Sequence, residues 1–367
     1  MFASIIAETI TSPHAVCLGA NDGEREEPTV IIDIHGHYTT APPGLRAYRA
    51  AQIADLDNPV QRPLEVSDDE IRDTIVNGQL LQQQERGTDV ALFSPTAGGM
   101  AHHIGDARVS QYWTETCNDL IYRVCSLFSE NFIPVCQLPQ SPRVSPANCV
   151  DELERCITEL GFVGVNLNPD PSGGYWVDPP MTDPWWYPLY EKLVELDVPA
   201  MIHVSSSCNP NFHGTGAHYI NGDLSVFMQC IVNPQLFKDF PTLRFIIPHG
   251  GGAVPYHWGR YRGIALELGR PELTEFLLGN ISFDTCVYHQ PGMETLFKTV
   301  PIENILFASE MIGAVRGKDP KNGRFFDDTL QYVNELSFLS DADKAALFEA
   351  NARRIYPRLD AILQARA

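Results

Sequence analysis

Positive charge is sparse in this chain: 26 Lys and Arg stand against 46 Asp and Glu, giving a formal charge of −20 and a pI near 4.8. No basic run supplies the field that nucleic acid or an anionic membrane requires, so neither is expected as a partner. A small anionic ligand is not excluded, because a few arginines in one cleft make a positive site inside an acidic protein. Long apolar runs are absent too, none approaching the roughly 20 residues of a membrane span. The nine cysteines include no C-x-x-C pair and no disulfide-scaffold spacing, which reads as reduced thiols in a cytoplasmic protein. The N-terminal MFASIIAETI lacks a basic flank and runs into the acidic DGEREEP, unlike a secretory or transit peptide. Residues 1–28 read as an extension packed on a neighbouring subunit, which points to a homodimer.

What the chain does have is alternation. Short apolar or β-branched segments recur at 29–37, 89–96, 131–139, 163–169, 198–205, 243–250, 280–288 and 304–310. Between them lie patterns with apolar residues at three- and four-residue intervals, including 68–87, 110–128, 149–161, 185–197 and 225–241. Eight continuous apolar strands alternating with amphipathic helices predict a parallel sheet covered by helices, closed as a (β/α)8 TIM barrel. The reading is a single domain over residues 29–367, with the segment 341–359 as C-terminal helices capped at Ser340. The stretch NPDPSGGYWVDPPMTDP (168–184) lies between strand and helix, as a loop over the barrel mouth.

Catalytic groups of such barrels sit at the C-terminal ends of the strands. Here those ends carry His35 and His37 on the first strand, His203 on the fifth, His249 on the sixth and Glu310 after the eighth. Side chains alternate along a strand, so the H-G-H spacing aims both imidazoles to one side, with Gly36 leaving room. Two imidazoles, a third from another strand and a carboxylate make a divalent metal site of the kind Zn2+ favours, with Mn2+ the other candidate. Asp33 is placed to support the ligands from below. The glycines of PHGGGAVP lack the spacing of a phosphate-binding loop and read as close backbone packing instead.

The strand-1 H-x-H, the histidines of strands 5 and 6 and the acid after strand 8 resemble the amidohydrolase superfamily. Within it, DIHGHYTTAP, MAHHIGD, NLNPDPSGG, IPHGGGAVPYHWGR and FASEMIGAVRG are similar to the 4-oxalomesaconate hydratases, from about Val30 to about Leu359. The resemblance implies one zinc per chain held by His35, His37, His203 and Glu310. Binuclear members of the superfamily carry a bridging lysine on strand 4, whereas VGVNLNPD offers Asn166 and Asn168. The strand-8 acid of the superfamily is usually aspartate; the glutamate here matches the hydratase family.

The resemblance further implies hydration of a tricarboxylate alkene in protocatechuate 4,5-cleavage, with water activated at the metal and a proton moved by Glu310 or His249. Such a substrate calls for cationic and hydroxyl donors at the mouth. Arg316 suits a carboxylate, Tyr219 is similar to a substrate-contacting tyrosine of the family, and His102 and His103 lie on the strand-2 loop. Thr96, Gly98 and Gly99 depart from the family pattern, which favours an arginine and a bulkier residue there. The rival enzyme reading is a metal-dependent, non-oxidative decarboxylase, against which the glutamate of FASEM counts.

Overall fold

The computed structural model describes residues 30–212 and 215–366; the expected extension at 1–28 lies outside them. Every segment expected as a strand contains one: β1 (Ile32–His37), β2 (Val90–Ser94), β3 (Phe132–Pro134), β4 (Cys136–Gln137), β5 (Val165–Leu167), β6 (Ala200–Ile202), β7 (Phe245–Ile247), β8 (Ile281–Asp284) and β9 (Ile305–Leu306). The expected third strand is divided at Val135 into β3 and β4. All pairings are parallel, in a three-stranded sheet β1-β2-β3 and a six-stranded sheet from β4 to β9 in sequence order. Backbone hydrogen bonds join the sheets at both edges. Val163 N–H donates to Pro134 O at 3.0 Å on one side, and Ile34 N–H donates to Phe307 O at 3.0 Å on the other.

The helices alternate with the strands as the pattern required, and two differences have local causes. The stretch 68–87 is expected as one helix but forms α2 (Asp68–Val76) and α3 (Gln79–Arg86), after α1 (Pro43–Ile53). The break falls at Gly78, where a Cβ would lie 2.5 Å from Thr74 O, so only glycine passes. Ser67 starts α2 with a reciprocal capping box to Glu70. The helix expected at 225–241 starts earlier and is interrupted, as Thr215–Val232 and Gln235–Asp239, because Pro234 cannot continue the first segment. No helix among the described residues is long and apolar enough to cross a membrane.

The core has two main parts. Phe93 and Phe132 pack with Leu120, Ile121 and Val124 of the long helix after β2, under the helical layer. Ile32, Ile34, Leu92, Met201 and Ile246 pack instead with Tyr356 and Leu359 from the C-terminal helices. The register of β1 against β2 shifts between Asp33 and Gly36. That bulge separates the apolar half of β1 from the half that carries the histidines, and bulges re-aim side chains in this way. The eight described cysteines are free thiols.

Candidate metal centre

The ends of four strands converge on one cluster. His35 Nε2 lies 3.1 Å from His37 Nε2, which lies 3.4 Å from His203 Nε2. Ligand atoms of His35, His203, His249 and Glu310 all fall within 4.8 Å of one another. The five side chains expected to meet at one mouth therefore do so; His35, His37, His203 and Glu310 are buried and His249 is largely so.

What holds each ring decides what the cluster can bind. His35 Nδ1 is 2.8 Å from Asp284 Oδ2, and Asp284 Oδ1 accepts from the backbone N–H of Gly250 and Cys286. His37 Nδ1 is 2.7 Å from Ser94 Oγ, which accepts from Asn166 Nδ2 and donates to Gly36 O. His203 Nδ1 faces Val204 O at 2.8 Å. With Nδ1 engaged as a donor on all three, their Nε2 lone pairs point at one another, an arrangement that only a cation satisfies. Burial, reinforced by the neighbouring imidazoles, holds His37 and His203 well below the usual histidine range, which keeps them neutral as ligation requires. Asn166 stands where a bridging lysine would be and is committed to Ser94.

His249 is different. Burial pulls its pKa down, but the Asp223 carboxylate 3.0 Å from Nδ1, with Glu310 and Asp284, pushes it up to about 9. Its Nε2 has no hydrogen-bond partner and lies 4.0 Å from Glu310 Oε2. The Tyr219 ring stacks on it at 5.4 Å and meets the His203 ring edge-on. The Tyr288 hydroxyl lies 3.1 Å from Glu310 Oε2. His249 and Glu310 both sit at positive φ, 54° and 50°, a conformation that costs non-glycine residues roughly 1–3 kcal/mol and persists only where surroundings enforce it. Gly250, Gly251 and Gly252 follow His249, also at positive φ. A Cβ on Gly251 would lie 2.4 Å from the Phe283 ring, which is the close packing the sequence suggested.

Asp33 works on the backbone: it accepts from His35 N–H at 3.0 Å, Ser309 N–H at 3.1 Å and the Ser309 hydroxyl. The support beneath the His35 ring is Asp284. Of the outer candidates, His102 is buried with Nδ1 3.4 Å from Ser110 Oγ, and burial with the nearby Arg49 charge takes it down to about 3. His103 packs against Gly173 of the 168–184 loop. Arg316 is exposed, donates to Ile312 O, and lines a cavity beside the cluster instead of entering it. Sequence reading did not single out Asp284, Asp223, Tyr288 or Ser94. Asp284 carries the same signal as the histidines, a polar residue closing an apolar strand, whereas Asp223 lies on a helix where no strand-end rule applies.

The amidohydrolase family model matches residues 32–358. The chain belongs to the amidohydrolase family. This amidohydrolase is 56% identical over 339 residues to a 2-keto-4-carboxy-3-hexenedioate hydratase from Sphingobium sp., covering 92% of this chain and 99% of that one. It is 55% identical to a 4-oxalomesaconate hydratase of known crystal structure from Rhodopseudomonas palustris, with TM-score 0.85, covering 92% and 98%. A 5-carboxyvanillate decarboxylase from Novosphingobium aromaticivorans, solved with bound manganese, is 18% identical with TM-score 0.66, covering 90% and 98%; it shares the amidohydrolase fold.

Proposed function

We propose that this amidohydrolase is a metal-dependent hydratase that adds water across the C=C bond of 4-oxalomesaconate to give 4-carboxy-4-hydroxy-2-oxoadipate in protocatechuate 4,5-cleavage. The observation that carries this reading is the full-length identity of 56% to a protein named as such a hydratase. The buried cluster adds the chemistry. We assign the cation to His35, His37, His203 and Glu310, one per chain, as Zn2+ with Mn2+ the alternative. A bound divalent cation supplies Lewis acidity and brings the pKa of water toward neutrality.

The chain's own groups then divide the proton work. In the isomeric form of this substrate named for the Sphingobium relative, 2-keto-4-carboxy-3-hexenedioate, the ketone is conjugated to the alkene, so oxygen adds at C4 and a proton at C3. Glu310, steadied by the Tyr288 hydroxyl, accepts the proton of the attacking water. His249 is held protonated by Asp223, and its unpartnered Nε2 faces the same space, so it donates toward the enol or C3 side. Tyr219 packs over His249 and orients substrate; Arg316, His102 and His103 are assigned to the carboxylate end. The reading places this chemistry at the mouth of a closed eight-stranded barrel, in a single domain over residues 29–367, in a cytoplasmic homodimer.

The test is to incubate metal-loaded protein with 4-oxalomesaconate and follow loss of the enone absorbance while assaying carbon dioxide. Hydration predicts loss of the enone without gas; carbon dioxide release would replace the hydratase by the decarboxylase reading. Glu310→Gln should lower turnover by about 10²-fold or more, the scale of general acid-base catalysis.

A further inference from the structure

Beside the metal cluster, and lined by none of its ligands, is a cavity of about 590 Å3 between α1, the loops after β1 and β2, and the long helix Ala107–Leu127. That volume lies within the range of small-molecule sites. Leu45, Trp113 and Leu120 contribute to its apolar wall. Its charged lining residues are Arg46, Arg49 and Arg316, with no aspartate or glutamate in the lining. In a chain of formal charge −20, three arginines facing one cavity without a carboxylate form a local reversal of the protein's field.

Arg49 decides what the reversal is for. It is 9% exposed and sits over the Trp113 ring at 4.8 Å. Its guanidinium donates to Gln52 Oε1 and to the carbonyls of Met100 and Ala101, all neutral acceptors. Among the described residues no acidic side chain pairs with it, and burial draws its pKa down to about 10. Burying a guanidinium without a counter-charge costs free energy, and an incoming carboxylate offsets that cost. The aromatic face beneath it sets the shape of what can follow the carboxylate inward.

We propose that this cavity is a second ligand site, which takes a small organic acid with a flat apolar body. Its carboxylate is held by Arg49 and Arg46, and its body lies against Trp113 and Leu120. Arg316 is shared with the hydratase reading, but the carboxylate contact proposed here rests on Arg49 and Arg46, which that reading does not use. The cavity's lining also continues along the chain into the metal cluster. Tyr38 and Thr39 directly follow His37, and Pro95 and Thr96 directly follow Ser94, which holds His37 Nδ1. An occupant therefore braces the two corners that aim one ligand.

Calorimetric titration of the metal-loaded protein with benzoate, and with benzamide as its uncharged counterpart, tests the proposal without any assay of turnover. Benzoate should bind at one site per chain, at least about tenfold tighter than benzamide, because a charge-assisted pair is lost in the amide. Arg49→Met, which keeps an apolar stem in place, should lose that advantage. Leu45→Trp, which fills the cavity and leaves the arginines alone, should also abolish binding, so the answer survives a folding failure of the Arg49 variant. Equal binding of the two probes, benzoate binding unchanged in Leu45→Trp, or no binding up to about 10 mM would each overturn the second site. Failure of hydration with 4-oxalomesaconate would leave these outcomes as they are.

Discussion

Replacing Asp284 by asparagine tests the metal centre through a residue outside the proposed ligand set. Asp284 is fully buried, and its Oδ2 accepts from His35 Nδ1 at 2.8 Å while Oδ1 accepts two backbone N–H groups. Burial pushes its carboxyl up, but the His35 hydrogen bond, the His249 charge and the Gly250 N–H hold it below the usual carboxylate range. In Asp284→Asn the side-chain oxygen can keep the two backbone donors, so the amide NH2 faces His35 Nδ1. That ring nitrogen must then accept, and the proton moves to Nε2, the atom aimed at His37 and His203. A protonated Nε2 cannot ligate. Loss of such a support typically lowers metal affinity by about 10–100-fold, equivalent to about 1.4–2.7 kcal/mol. Competition against a chelator of known affinity measures it directly, and the thermal midpoint of the metal-free protein separates the effect from general destabilisation. Affinity unchanged within about twofold would refute the claim that Asp284 sets the tautomer of His35.

Three further outcomes follow from geometry already described. Asp223→Asn removes the charge that holds His249 protonated, so the alkaline limb of the kcat profile should move to lower pH; an unmoved limb would exclude His249 as the acid. Although burial pushes Asp170 up, hydrogen bonds from His218, Ser172 and Gly174 hold its carboxyl below its ordinary 3.8. Its contribution to stability is thus present above 3.8 and lost as pH falls through the lower folded value; denaturant titrations should show Asp170→Asn weaker by about 1–3 kcal/mol at neutral pH, with the gap narrowing below that range. Gly251→Ala, at φ 76° with its Cβ 2.4 Å from Phe283, should lower stability by about 1–3 kcal/mol, and a neutral denaturation midpoint would contradict the packing described.

The strands were legible because a buried parallel sheet demands apolar runs, and any polar residue at the end of such a run stands out. That is how His35, His37, His203, His249 and Glu310 come to be read together. The same rule reaches Asp284, which closes NISFD, but a lone acid after an apolar strand has no partner at H-x-H spacing to mark it. Asp223 and Tyr288 reach the cluster through packing between elements distant in sequence, for which no local pattern exists. The β1 bulge is equally silent, since simple alternation already put His35 and His37 on one side. Gly78 illustrates the opposite case: the periodicity on either side reads as one helix, and only the non-helical backbone at Gly78 and the close approach of Thr74 O show that two form with glycine between them.

The tie between Asp33 and Ser309 spans 276 residues, and with Ile34 N–H to Phe307 O it fastens the first strand to the last. His35 and Glu310 lie immediately beyond that seam. The donor set is therefore incomplete on a growing polypeptide until nearly the whole sequence has left the ribosome, because closing so long a loop must precede any gain from the contacts it makes. Metal capture becomes the closing act of biogenesis, and fragments arising from premature termination or from proteolysis ahead of β9 have no complete cage with which to scavenge cations from the cell.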